Sequence, residues 1–200
     1  MNEKFIGKIN LPTVIMHNGQ LADPSNAIAK AMKKITSNRK KTDADYDKLA
    51  ELEFTGGLYT NKKGEVILPG RVIESAIHAG AKKSKEGKDC LSALFVDNDP
   101  VISYDGGPLP LDKLVKSEAH RLTVGVKVGQ ARVMRTRPFF ENVSFTVEMT
   151  LNTELVNPDR LERWLEDCLN QCGIGDWRPR HGRGVLLSFE AVSVPLKAVK

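Results

Sequence analysis

Between Val143 and Val194 the apolar pattern changes period twice. Val143, Phe145, Val147 and Met149 alternate with Ser144, Thr146 and Glu148, the period of two that a half-buried strand requires. From Asn157 the spacing turns helical, with Leu161, Trp164, Leu165, Cys168, Leu169 and Cys172 on one stripe. Asn157 stands where an N-cap belongs, Pro158 in the first turn and Gly173 at the exit. After the connection G-I-G-D-W-R-P-R-H-G-R-G (173–184), V-L-L-S-F-E-A-V-S-V (185–194) reads as a strand again. Strand, helix and strand in immediate succession commit this third of the chain to a β-α-β unit whose helix covers one face of a sheet.

The preceding residues supply a second such unit. F-I-G-K-I-N-L-P-T-V-I-M (5–16) reads as a first strand, with Pro12 marking a bulge or an edge. Asp23-Pro24 predicts a helix start, followed by Ala27, Ile28, Ala31, Met32 and Ile35 at helical spacing. Thr42 and Asp45 form a capping box for a second helix with Tyr46, Leu49, Ala50 and Leu52 on its apolar side. Two short β pieces flank a turn at Asn61–Gly64, and Pro69-Gly70 leads into a helix carrying Val72, Ile73, Ala76 and Ile77. Residues 94–104 read as an interrupted strand and G-G-P-L-P as a loop. From His120 to Arg137, Leu122, Val124, Val126 and Val128 alternate with polar residues and Gly129-Gln130 turns the chain, so a long hairpin is predicted. The expected fold is α+β: a ferredoxin-like antiparallel sheet with helices on one face, plus inserted helices and a long β-hairpin. A single domain over 1–200 is expected, with a helical insertion at about 23–54 and the hairpin at about 119–138.

Composition narrows the function classes. Apolar residues make up 40% and charged residues 28%, a globular balance. No apolar run reaches the roughly 20 residues needed to span a membrane, and the N-terminus lacks a signal-peptide core, so a cytoplasmic protein without a membrane partner is expected. Three cysteines do not complete a disulfide framework. Cys168 and Cys172 are explained by the apolar stripe, and no second cysteine or histidine pair completes a zinc set, so neither a metal nor another cofactor is expected. His17, His78, His120 and His181 are scattered singly, and no phosphate loop or nucleophile–base motif occurs. No catalytic residue is assigned. Asp23, in the loop after the first strand, is already explained as a helix cap.

The net charge of +5 acquires meaning through clustering. Lys127, Arg132, Arg135 and Arg137 lie on the hairpin, and Arg178, Arg180 and Arg183 with His181 lie in the glycine-rich connection. Arginine's planar fork fits phosphate oxygens bidentately and stacks on bases, and neighbouring glycines let backbone N–H groups approach an anion. Trp177 is either a stacking surface or a buried anchor for the loop. Lys82, Lys83, Lys85 and Lys88, after the middle helix, are either a solvated helix end or part of the same basic surface.

Ile174, Gly175, Arg178, Gly182 and Gly184, in I-G-D-W-R-P-R-H-G-R-G, resemble the glycine-rich signature of the RAMP superfamily, the repeat-associated RNA-binding proteins of CRISPR systems. G-E-V-I-L-P-G-R-V-I-E-S-A (64–76) is similar to the hairpin, Pro-Gly and helix start of the backbone subunits of CRISPR effector complexes. Arg71-Val72 and Glu74-Ser75 replace the serines and the Lys-Gly usual after Pro-Gly, and Trp177-Arg178-Pro179 stiffens a loop usually richer in serine and glycine. The resemblance implies a fold related to RNA-recognition modules, single-stranded RNA as ligand, side-by-side assembly into a larger complex, and the 120–137 hairpin as a protruding thumb. The residues expected to contact nucleic acid are Arg71, Lys127, Arg132, Arg135, Arg137, Trp177, Arg178, Arg180, His181 and Arg183. The sequence leaves two alternatives: a protein-interaction or self-assembling subunit, or an inhibitor of a nucleoprotein complex, whose basic surface meets an acidic protein; and a RAMP-type ribonuclease, for which Asp23 is the residue at issue.

Overall fold

A computed structural model describes residues 1–192. In chain order the elements are β1 (Asn2–Ile15), α1 (Ala27–Thr36), α2 (Asp43–Gly57), α3 (Gly70–Ala81), α4 (Gly87–Ala93), β2 (Leu94–Val96), α5 (Leu111–Lys116), β3 (Arg121–Val128), β4 (Ala131–Asn152), α6 (Pro158–Asp167) and β5 (Val185–Val192). Positions 193 and 194 of the expected last strand lie outside the described residues. The chain divides into two units, one of residues 1–14, 67–105 and 141 onward, the other of 15–66 and 106–140.

The first unit holds an antiparallel sheet in the order β2-β4-β1-β5. With β3 set aside, the chain runs β1-α3-β2-β4-α6-β5 through that order, which is the ferredoxin-like α+β topology. Alternation decides which side of the sheet is covered. Phe5, Ile9 and Leu11 of β1 and Val143, Val147 and Met149 of β4 are buried, while Lys4, Lys8, Glu148 and their neighbours lie opposite. The helices close over the buried side with Ile73, Ala76 and Ile77 of α3 and Leu161, Trp164 and Leu165 of α6. α3 and α6 pack closely because Gly80 has no side chain: a Cβ there would lie 2.4 Å from the Trp164 carbonyl oxygen. Asn157 caps α6 by accepting from the Asp159 N–H at 3.1 Å. The last turn of that helix widens into a π-helical turn, Cys168–Cys172, which the sequence pattern does not reveal.

β5 forms one edge of the sheet. Its register with β1 slips between Lys8↔Ser188 and Ile9↔Leu186, leaving Leu187 as the extra residue of a bulge. The interrupted strand expected at 94–104 is the short β2 followed by isolated bridges at Ile67↔Val101 and Ser103↔Ser144.

The second unit carries α1, α2, α5 and the hairpin. α2 begins at the expected capping box, with both arms of the Thr42–Asp45 exchange formed. Its buried side, however, is Glu53, Phe54, Gly56 and Gly57 rather than a stripe that includes Tyr46, which is 57% exposed. α1 starts three residues later than Asp23-Pro24 predicts. Asn26 is its cap, accepting from the N–H groups of Ile28 and Ala29, whereas Asp23 accepts from the N–H and hydroxyl of Ser25. Both residues satisfy the same capping preference, so the local pattern does not separate them. The two β pieces expected around Asn61–Gly64 reduce to one bridge, Thr60↔Val66, closed by the turn. α5, six residues long, follows the G-G-P-L-P loop where no helix was expected.

β3 and β4 form the hairpin, in register from Arg121↔Pro138 to Lys127↔Arg132 and on to the turn at Gly129. Pro138 does not end the strand: β4 runs 22 residues from Ala131 to Asn152, so the hairpin's return strand and the strand expected at 143–149 are one. The Pro138 carbonyl accepts from the Met16 N–H at 3.0 Å.

Candidate nucleic-acid interface

The connection 173–184 turns its glycines inward and its cations outward. Ile174 is fully buried and pairs its N–H with the Gly182 carbonyl at 2.8 Å, pinning the two ends of the loop together. The Gly182 N–H donates to the Thr13 carbonyl at 2.9 Å and the Gly184 N–H to the Leu169 carbonyl at 3.1 Å, tying the loop to β1 and to the π-helical turn. Gly182 allows no substitute: its φ is +80°, and a Cβ would fall 1.8 Å from the Ile174 oxygen. This backbone clasp is why the loop keeps one shape.

Trp177, Arg178, Pro179, Arg180 and Arg183 all face solvent on the outside of that clasp. Trp177 is 46% exposed and has φ +54°, so Ile174, not Trp177, anchors the loop. The indole tilts against His181 with ring centres 5.8 Å apart. His181 is positioned by the Thr13 hydroxyl, 3.0 Å from its Nδ1. Burial first, and then the charge of Arg180, lower the pKa of that imidazole from its ordinary value. Arg183 uses its Nε to donate to the Pro179 carbonyl at 2.7 Å, which braces the tip and leaves the outer nitrogens of its fork facing outward. Arg178 reaches the Gly173 carbonyl only at 3.5 Å. Arg180 has no partner among the described residues.

The hairpin distributes its cations differently. Residues directly opposite share a face, so Lys127 and Arg132 lie together on one side with Gly125 and Met134, and Arg135 and Arg137 lie on the other with Leu122 and Val124. Lys127 and Arg132 are exposed. Like charges opposite one another in a ladder are unfavourable by roughly 0.2–1 kcal/mol, a cost that a bound anion would remove. Arg135 is half-buried and donates to Glu53 at 2.5 Å; the other Glu53 oxygen accepts the Thr136 N–H at 2.7 Å. Arg137 is half-buried, and Arg71 stands exposed in the first turn of α3. Nothing in the local sequence marks Glu53 as buried, since its partner is 82 residues away.

Two further placements bear on chemistry. Asp23 lies exposed, its carboxyl held below the usual value by the Ser25 hydroxyl and N–H. Cys90 and Cys168 are buried, and desolvation pushes both thiols up to about 12, far from the thiolate a reactive cysteine needs. Among the described residues no group of three or more His, Cys, Asp or Glu is placed to hold a metal ion, and no helix is long and apolar enough to cross a membrane.

No protein-family model matches the chain, and no curated protein matches it in sequence. Among solved structures, a cryo-EM structure of the Type III-B Cmr-beta bound to cognate target RNA contains a chain that aligns with 95% of this one at 8% identity and a TM-score of 0.48. This chain spans 61% of that chain's length.

Proposed function

We propose that the protein binds single-stranded nucleic acid, RNA in preference to DNA, through the outer side of the 173–184 loop. The observation that carries this is the division of labour in that loop. Its buried residues fix the backbone, while Arg178, Arg180 and Arg183 present charge and Trp177 presents an exposed ring beside them. Phosphates would bind the guanidinium groups and a base would stack on the indole, the combination used for unpaired strands. RNA is preferred because Ile174–Gly184 resembles a signature of RNA-binding proteins. The exposed Lys127–Arg132 pair of the hairpin is a separate candidate surface for phosphate contact.

Fluorescence anisotropy with a labelled single-stranded RNA tests this. Affinity should fall with added salt, log K against log [salt] having a slope near −0.7 for each phosphate contacted. Replacing Arg178, Arg180 and Arg183 with alanine should weaken binding and flatten that slope while leaving the melting transition in place. Absence of binding at about 50 mM salt, where electrostatic attachment is strong, would overturn the proposal.

A second reading is self-assembly, favoured by β5, a sheet edge that exposes Val185 at 53% and Leu187 at 62%. Size-exclusion chromatography with and without nuclease separates the two. An assembly that collapses under nuclease is organised by nucleic acid; one that persists is held by protein contacts.

A further inference from the structure

The segment K-K-S-K-E-G-K-D, 82–89, joins α3 to α4 and mixes cations with anions along the chain, yet the fold separates them. Glu86 accepts from Arg163 at 2.6 and 2.7 Å and from the buried Trp164 indole at 2.5 Å, with Arg160 3.2 Å away; Asp89 pairs with Arg160. Burial opposes ionisation of Glu86, but hydrogen bonds from Arg163, Trp164 and Ser84 and the charge of Arg160 hold its pKa down to about 2. Both acids of the segment are therefore neutralised by α6. The lysines are left over: none of Lys82, Lys83, Lys85 and Lys88 forms an ion pair with a described residue.

Three of those lysines surround a hollow. Lys82, Lys85 and Lys88, with His78 and Leu91, line a cavity of about 540 Å³ whose wall at Gly87 is bare backbone. A Cβ on Gly87 would lie 2.9 Å from Lys82 Cγ and 3.1 Å from His78 Nε2, so the lysine stem and the imidazole both lie against it. Lys85 supplies an independent sign. Its φ is +64°, in the left-handed region where glycine sits with less strain, and a lysine occupies it all the same. A second hollow, of about 470 Å³ on the open side of the sheet, offers a contrast: Lys8 shares it with Glu148, Asn98 and serine hydroxyls, and its charge is mixed.

The geometry points to a phosphate-binding site formed by His78, Lys82, Lys85 and Lys88, separate from the 173–184 loop. Its ligand is a run of phosphate groups. Several mobile ammonium groups around an open hollow suit consecutive phosphates better than one small anion, because lysine acts as a point charge without the directional fork of arginine. Two sources share this chemistry: the backbone of a nucleic-acid strand, and a free oligophosphate such as the tail of a nucleotide. As a backbone subsite it rests on the nucleic-acid reading above; as an oligophosphate site it stands without it.

The test uses the full chain and two probes. The first is inorganic tripolyphosphate, read by NMR as a shift of the His78 ring resonances. The site predicts a saturable shift in the native protein, lost in the K82A/K85A/K88A variant and weakened at least threefold in K85G, whose relaxed backbone should leave its melting temperature equal or higher. No saturable shift in the native protein overturns the site, and so does an unchanged shift in the triple variant. The second probe is labelled single-stranded RNA. A salt slope flattened in the triple variant by about 0.7 per lost contact assigns the site to strand phosphates, and an unchanged slope alongside the His78 shift assigns it to a free oligophosphate. If RNA fails to bind while tripolyphosphate shifts His78, the nucleic-acid reading falls and this site remains.

Discussion

The 173–184 loop and the 121–138 hairpin look alike as strings of letters, with three arginines in the first and four in the second, set among glycine or valine. They differ in where the charge goes. In the loop, backbone hydrogen bonds do the structural work through Ile174, Gly182 and Gly184, so the guanidinium groups are left to face outward. In the hairpin a guanidinium is part of the structure: Arg135 is tied to Glu53, whose second oxygen takes the buried Thr136 N–H. Charge that holds a fold together is charge already answered, and the number of arginines in a segment does not measure the charge it presents.

The sharpest way to break this comparison is Glu53→Ala. It strands a half-buried guanidinium and a buried N–H, and losing one partner of such a pair costs about 3–5 kcal/mol. Urea unfolding should show that loss, and a change under about 1 kcal/mol, the range of a surface pair, would mean that Arg135 is as uncommitted as the loop arginines. Gly182→Ala attacks the other region at its clasp. A side chain forced into positive φ costs about 1–3 kcal/mol, the displacement of the Ile174 backbone oxygen adds to that, and both the melting temperature and RNA affinity should fall. Retention of full affinity in a destabilised protein would show that the loop's shape is not what binds.

Smaller in energy, R178A/R180A/R183A should weaken RNA binding about tenfold or more, or about 1.4 kcal/mol, with stability altered by no more than about 0.5 kcal/mol. Arg135→Ala should do the reverse, and if it instead lowers affinity with unchanged stability, the distinction between the regions fails. The smallest effect concerns His181. Its pKa is lowered in the folded protein, so the unfolded chain takes up the proton first as pH falls. Stability should therefore decline as pH falls below the ordinary imidazole value, and His181→Gln should remove that component. Denaturant titrations at several pH values from 7.5 to 5 compare the two slopes directly.

Much of the fold is legible in the sequence because it is written in local rules. The Asn157–Pro158 start, the Thr42–Asp45 box, the turn at Gly129 and the alternation of β3 each depend on residues a few positions apart. Failures occur where two residues obey the same rule or where a distant partner decides. Asp23 and Asn26 are both good caps, and the chain uses Asn26 for α1. The apolar stripe drawn through Tyr46 yields to Phe54 and Glu53 because the buried side is set by the hairpin, far along the chain. Pro138 looks like a strand end and instead lies within β4, where Arg121 pairs with it at the base of the hairpin. For the candidate interface, the residue types were readable but not their commitments. Nothing near Glu86 says that α6 will claim it and leave the neighbouring lysines unanswered.

The two tryptophans make the molecule its own optical instrument. Trp164 is completely buried, with its indole N–H on Glu86, while Trp177 is half in solvent at the tip of the loop. One emission component should stay blue and resist aqueous quenchers until the helices come apart. The other should be red-shifted, open to iodide, and sensitive to whatever settles on the loop. Unfolding and ligand capture would thus be read as two colours in a single unlabelled sample.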